Sequence, residues 1–308
     1  MAGRIGEIHR ILSFTIKLRD GNDRKSLQAE LEEIIQQVPS KRAEVISTAD
    51  GLLVSGEDEL ELLSLRSKAL FDSHAEVGNL KINFRETIRK SGAAEGKYIR
   101  QTGGMGNYGH CKLRVEPNLP GNGNEFVEDI RVGAVPSKYI EPIHQGVQDA
   151  LERGIIAGYP IIDVKVTLYD GSYHEADSNE MAFKFAGSIA FKEAARKASP
   201  VILEPVMAAE AMVQEEQMGA IIADINSRRG RIEGIERLHG SQMIHAIVPL
   251  AEVLTSSTHG RPTYELNFAG YEAASPRQGP FGDDAATLAN KPLSPKPRAG
   301  SAAAEPDD

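Results

Sequence analysis

The chain has no tryptophan and a single cysteine, Cys111, among its 308 residues. One cysteine cannot close a disulfide within the chain, and such usage suits a reducing compartment. A small residue packed in a strand accounts for Cys111 better than a reactive thiol does. No stretch approaches the roughly 18 consecutive apolar residues of a membrane helix. The opening MAGRIGEIHR also lacks the apolar run of a secretion signal, so a cytoplasmic location without a membrane partner is expected. Positive charge is in short supply: 35 Lys and Arg against 44 Asp and Glu leave a net charge of −9. A non-selective nucleic-acid binder needs a basic surface to displace counterions, so that class is excluded. Recognition of RNA through small local patches is not. A GxxxxGK[ST] phosphate loop is missing, and Asn290-Lys291 runs on into Pro292-Leu293 rather than completing a guanine-reading NKxD. No nucleophile–base or metal-ligand spacing occurs, so neither a catalytic residue nor a metal site is expected.

What is present reads as a globular α+β protein, 41% hydrophobic and 26% charged, long enough for roughly two or three domains. Leu12, Phe14, Ile16 and Leu18 alternate as a strand, and Asp20-Gly21-Asn22-Asp23 makes a turn. Leu27, Leu31, Ile34, Ile35 and Val38 mark a helix stopped by Pro39. A hairpin about Ala49-Asp50-Gly51 follows, then a helix with Leu60, Leu63 and Leu70, then a strand with Leu80, Ile82 and Phe84. The order βαββαβ is that of a ferredoxin-like sandwich. It recurs later: a strand at Val206–Val213, a helix with Met218, Ile221, Ile222 and Ile225, strands at Arg231–Arg237 and Met243–Val248 turning at His239-Gly240, a short helix near Leu250–Ser256, and a strand at Thr263–Phe268. Expected domains are therefore 5–90, 91–202 and 203–275. From Pro276 the chain holds six of its 16 prolines with little apolar content, and residues 276–308 read as a disordered tail.

The middle unit carries a Gly-rich hairpin near Gly103–Gly109, a strand at Glu125–Val132 and a helix near Ile140–Arg153. Between Tyr159 and Ser199 come a strand, a polar tip and a helix. Ile162, Val164, Val166 and Leu168 alternate with Asp163, Lys165 and Thr167, and the pattern breaks at Asp170-Gly171 as a turn would break it. Ser172, Tyr173, His174 and Glu175 follow with nothing to bury. Asp177 and Glu180 have the spacing of a helix capping pair, and Met181, Phe185, Ala186 and Ile189 recur at helical intervals. A stiff strand and helix thus hold up a short apex bearing a ring and an imidazole, a shape made for insertion. Lys97, Arg100, Lys112 and Arg114 on neighbouring strand-like segments, and Arg228, Arg229 and Arg231 around Gly230, are local basic clusters.

GKYIRQTGGMGNYGHC (96–111), FVEDIRVGAVPSKYI (126–140), AGYPIIDVKVTLYDGSYHEADSNEMAFKFAGSIAFKEA (157–194), VILEPVMAAEAMVQEE (201–216) and INSRRGRIEG (225–234) resemble the fourth and fifth domains of bacterial elongation factor G. Residues 5–88, ending in Phe84-Arg85-Glu86-Thr87-Ile88, are similar to its third domain. The resemblance implies two ferredoxin-like sandwiches flanking a ribosomal protein S5-like unit. It further implies a partner, the ribosome, met through rRNA and the tRNA–mRNA at the decoding region. Ser172, Tyr173 and His174 would form the tip, joined by Gly103, Gly104, Met105, Gly106 and Asn107 of a second loop. Glycines let amides approach sugar–phosphate, and a ring with an imidazole can stack on or donate to single-stranded RNA. Arg228, Arg229 and Arg231 would touch large-subunit RNA. GTP is the cofactor of the full-length family, but its binding domain has no counterpart here; the chain alone is expected to bind no cofactor, with any GTPase supplied separately. Met105 stands where the family has a basic residue, Asn107 replaces Gln, and the acidic Gly56–Glu61 replaces GMGELH. These departures suggest an alternative, a protein-interaction module that keeps the fold without translocation.

Overall fold

Alternation of large apolar residues in the first module becomes strand β1 (Leu12–Leu18), whose Leu12, Phe14 and Ile16 are buried. The computed structural model describes residues 9–18, 24–37, 42–71, 75–102, 105–130, 134–238, 240–255 and 264–274. The expected turn at Asp20–Asp23, the stop at Pro39, the turn residue His239 and the tail at 276–308 lie outside these residues.

Helix α1 (Arg24–Gln37) lays Leu27, Leu31 and Ile35 on β1. The hairpin β2 (Ala43–Thr48) and β3 (Gly51–Gly56) pairs with β1 through β3, and α2 (Glu59–Phe71) follows. The closing strand is two short pieces, β4 (Ala75–Val77) and β5 (Lys81–Ile82), both antiparallel to β1. The sheet order β2-β3-β1-β4 is the ferredoxin-like one. For α2 the sequence pattern predicts the helix but not its face. Leu62, Leu65 and Ala69 are buried, whereas Leu60, Leu63 and Leu70 point outward. The apolar residues of this helix occupy more than one side, and tertiary packing selected between them.

The third sheet repeats that order with β11 (Pro200–Val213), α5 (Met218–Ser227), β12 (Arg231–Leu238), β13 (Ser241–Pro249), α6 (Leu250–Thr255) and β14 (Glu265–Ala273), arranged β12-β13-β11-β14. Here the strands β11 and β14 outrun the expected ones. Residues 85–88 also differ from a simple reading: strand β6 (Arg85–Ile88) pairs with β11 in this sheet. Met207 and Leu250 complete the core of the first module, so the two sandwiches share apolar packing.

Between them a four-stranded sheet runs β7 (Gly92–Thr102), β8 (Met105–Pro117), β10 (Val164–Ser172) and β9 (Glu125–Glu128) in spatial order. Strand β9 pairs parallel with β10 and is shorter than the expected 125–132. One face is covered by α3 (Ile140–Arg153) and α4 (Glu180–Lys197), which build the largest core with Leu113, Val115, Val166, Leu168, Phe183 and Phe191. Cys111 sits in this core, and burial pushes its thiol up to about 12, so it is inert at neutral pH. The anticipated apolar stripe of α4 is largely external: Met181, Phe185 and Ile189 are exposed, with Phe185 stacked on Tyr98 at 4.8 Å. The side that meets β7 and β8 is made by Ala182, Ala186, Ala190 and Ala194, because the helix lies almost on the backbone of these strands, while Phe183 and Phe191 are buried beside it.

A carboxylate fixes the junction of the three units. Glu86 is fully buried, and its two oxygens accept the amides of Ile155, Ile156, Ala157, Gly158 and Tyr159 at 2.6–3.2 Å. Its backbone bonds to Pro160 and Ile162 of the same loop. One residue of β6 therefore joins the third sheet to the loop that leads into β10. Among the described residues no helix is long and apolar enough to cross a membrane, and no group of three or more His, Cys, Asp or Glu is gathered as a metal site.

Candidate nucleic-acid interface

The apex of the middle unit is two loops tied into one body. The expected turn at Asp170-Gly171 does not occur. Strand β10 passes a bulge after Leu168 and continues, pairing Asp170 with Lys112, Gly171 with Cys111 and Ser172 with His110. A bulge adds one residue and re-aims the side chains beyond it, which carries the strand two residues nearer the tip. The Ser172 hydroxyl contacts the Tyr108 hydroxyl at 2.8 Å and the His110 Nδ1 at 2.7 Å, so it belongs to the base of the tip rather than its surface. Beyond it Tyr173, His174, Glu175 and Ala176 are exposed.

Helix α4 is not capped by Asp177. Asn179 is the N-cap, its side-chain oxygen accepting the Ala182 amide at 2.9 Å, while its amide group donates to Asn107 at 2.7 Å. This frees Asp177 to face the other loop. Its Oδ1 accepts the Gly106 amide at 3.1 Å and its carbonyl accepts the Tyr108 amide at 2.7 Å. Its Oδ2 stands 3.3 Å from Nδ1 of His174. A Cβ on Gly106 would lie 2.6 Å from the Asp177 carboxyl carbon, so this glycine serves the loop-to-loop contact. The Gly106 amide is therefore already occupied and is not offered to a sugar–phosphate backbone. Ser178 closes the turn: its hydroxyl accepts the His174 amide, and its carbonyl accepts the Tyr139 hydroxyl. Tyr139 itself stacks on Phe183 at 4.4 Å, so the tip is anchored to the core.

Of the residues expected at the tip, Tyr173 and His174 are together and exposed, Ser172 and Asn107 lie half-buried beneath them, and Gly106 is in β8. Gly103 and Gly104 lie outside the described residues; Met105 opens β8, and its side chain lies outside them too. Sequence reasoning missed Tyr108, His110, Asp177 and Asn179 as the frame of the apex. Tyr108 and His110 stood inside the Gly-rich hairpin, but only the pairing of β8 with β10 shows what they hold.

The basic clusters are largely self-neutralised. Lys112 pairs with Asp170 at 2.8 Å and Arg114 with Glu116 at 3.4 Å, while Arg100, opposite Asn107 in the register, falls on the other face of the sheet. The hydrogen bond and charge between Lys112 and Asp170 raise the one and lower the other from their ordinary values. In the third sheet Arg228 pairs with Asp224, Arg229 with Glu204 and Glu252, and Arg231 with Glu233 and Glu272. Of these three arginines, Arg231 alone keeps more than half of its side chain exposed.

Asp224 accepts from Arg228 at 2.9 Å and from the Tyr264 hydroxyl at 2.8 Å. Desolvation pushes its carboxyl up, but these two bonds and the Arg228 charge outweigh that and hold it below the usual range. The stabilisation is complete above the unfolded value of about 3.9 and is lost as pH falls through the lower folded value. Unfolding free energy should therefore fall between about pH 5 and pH 2 more steeply in the native chain than in Asp224→Asn. Equal slopes in urea titrations across that range would remove the assignment.

The comparisons with known proteins fall on this architecture. Residues 80–199 match the model of elongation factor G domain IV, and residues 201–278 match that of the elongation factor G C-terminus. A crystal structure of a Thermus thermophilus protein superposes with a TM-score of 0.67 at 32% identity, over 92% of this chain and 43% of that one. The chain thus spans less than half the length of that neighbour. Over residues 80–199 and 201–278 it is an elongation factor G-like C-terminal region of α+β architecture.

Proposed function

We propose that the chain acts in translation elongation as a ribosome-binding arm. Its double-loop apex enters the decoding region and contacts rRNA and the tRNA–mRNA there. Three units, at residues 5–90, 91–202 and 203–275, carry the arm in the cytoplasm. The observation that carries this reading is the exposed Tyr173 and His174 on a tip bonded to two strands, a helix and a buried aromatic pair. An apex held that way can displace solvent from a cleft without losing its own order on binding. Glu175 and Asp177 disfavour phosphate, so the tip works by shape, stacking and single hydrogen bonds. Of the three arginines around Gly230, Arg231 is the most exposed and the one that would reach large-subunit RNA.

The test is sedimentation through sucrose at low salt. Purified chain should migrate with ribosomes, and Tyr173→Ala should weaken the association by roughly 5- to 150-fold, the range of one lost stacking contact of about 1–3 kcal/mol. Free chain remaining at the top of the gradient rejects the reading.

A second reading is favoured by α2, where Leu60 and Leu70 are 67% and 50% exposed and Asp58 and Glu59 adjoin Leu60. Such a face on a helix fits a protein partner rather than RNA. If it is the working surface, immobilised chain captures a protein without rRNA, and Leu60→Ser with Leu70→Ser abolishes the capture.

A further inference from the structure

We infer that Asp177 is a positioning residue that fixes the protonation pattern of the tip imidazole, an assignment that rests on the proposed role of the apex for its functional consequence. Three observations meet at this one residue. Its Oδ2 faces Nδ1 of His174 at 3.3 Å, its Oδ1 holds the Gly106 amide at 3.1 Å, and its carbonyl holds the Tyr108 amide at 2.7 Å. A carboxylate is an acceptor on both oxygens, so the imidazole nitrogen turned toward it carries the proton. In the neutral ring the proton therefore resides on Nδ1, and Nε2 is left as an acceptor. The His174 side chain is 59% exposed. The tip thus presents a lone pair to donors, such as hydroxyl or amino groups of a nucleic-acid strand, on a ring faced by a carboxylate of its own loop that the opposite loop holds through the Gly106 and Tyr108 amides. Spacing had suggested a capping role for Asp177, and Asn179 performs that task instead.

Asp177→Asn separates this role from mere support. Asparagine keeps an oxygen for the Gly106 amide, but its NH2 faces the imidazole and asks Nδ1 to accept, which moves the proton to Nε2. Long-range 1H–15N spectra of the full chain at alkaline pH read the tautomer directly. His174→Ala identifies the signal. The expected result is a ring protonated at Nδ1 in the native chain and at Nε2 in Asp177→Asn. On ribosomes, His174→Ala and Asp177→Asn should each lower affinity about tenfold, and the double variant should lose no more than either alone, as coupled residues do. An unchanged tautomer in Asp177→Asn, or costs that add in the double variant, overturns the assignment. If the native chain fails to sediment with ribosomes, the proposed function falls by itself, and the spectra still decide what Asp177 does.

Discussion

Glu86→Ala is expected to lower the unfolding free energy by about 3–5 kcal/mol, because it removes a buried carboxylate that accepts five part-buried amides at once. Only an ionised carboxylate, which accepts on both oxygens, matches a ring of donors contributed by Ile155 to Tyr159. The loop wraps the carboxylate closely enough that Gly154, at φ +65°, could not carry a Cβ, which would lie 2.7 Å from Oε1. Glu86→Gln should cost less than the alanine change, since one oxygen remains, yet its NH2 would confront backbone donors. Hydrogen exchange gives the local reading. Amides 155–159 should exchange faster in both variants, with the loss propagating into β6 and β11, which pair at Thr87 and Val201. An alanine variant that unfolds within about 1 kcal/mol of the native chain, with the loop still protected, would show that the amide ring is not a stabilising feature.

Gly96→Ala should also be strongly damaging. A Cβ at that position would lie 2.0 Å from the Ala186 carbonyl oxygen and 2.6 Å from the Ala190 nitrogen, both backbone atoms of α4. Neither can rotate away, so the helix must lift from the sheet, at a cost of about 1–3 kcal/mol or more. Gly92 and Gly109 meet the same helix at Ala194 and Ala182, so the lift would extend along its length. Gly219→Ala is the control. It lies in the first turn of α5 with nothing within 4 Å of a new Cβ, and there a methyl group should be neutral or stabilising by up to about 1 kcal/mol. Thermal denaturation of the two variants side by side checks the contrast. Equal melting temperatures would mean that α4 and β7 are not in close backbone contact.

Much of the frame was legible because neighbours in the chain dictate it. The period-two pattern of Leu12, Phe14 and Ile16 can bury a single face only as a strand. The 3.6-residue pattern between Ile140 and Arg153 likewise admits only a helix with Ile143, Val147, Ala150 and Leu151 inward. The motifs also pointed to the family, since the GNYGHC hairpin and the Ser172–His174 tip are contiguous stretches.

The errors have a common physical origin. Periodicity marked Met181, Phe185 and Ile189 as helical without saying which face is covered, and glycines in β7 and β8 admit a helix that meets them through alanine. Capping statistics read Asp177 against its own helix, but the Gly106 amide comes from 71 residues away, and no local spacing encodes that approach. The arginines around Gly230 looked like a positive patch until folding set an acid beside each. By itself, then, the sequence determined the strands, the helices, the two-fold recurrence of the βαββαβ order and the place of the exposed tip, all of which follow from local patterning and chain stereochemistry. Only the tertiary structure decided which helix faces are covered, that Glu86 locks a loop to a sheet it is not part of, and that Asp177 binds one tip to the other. Such contacts depend on which distant backbone groups are left without partners once the sheets have closed.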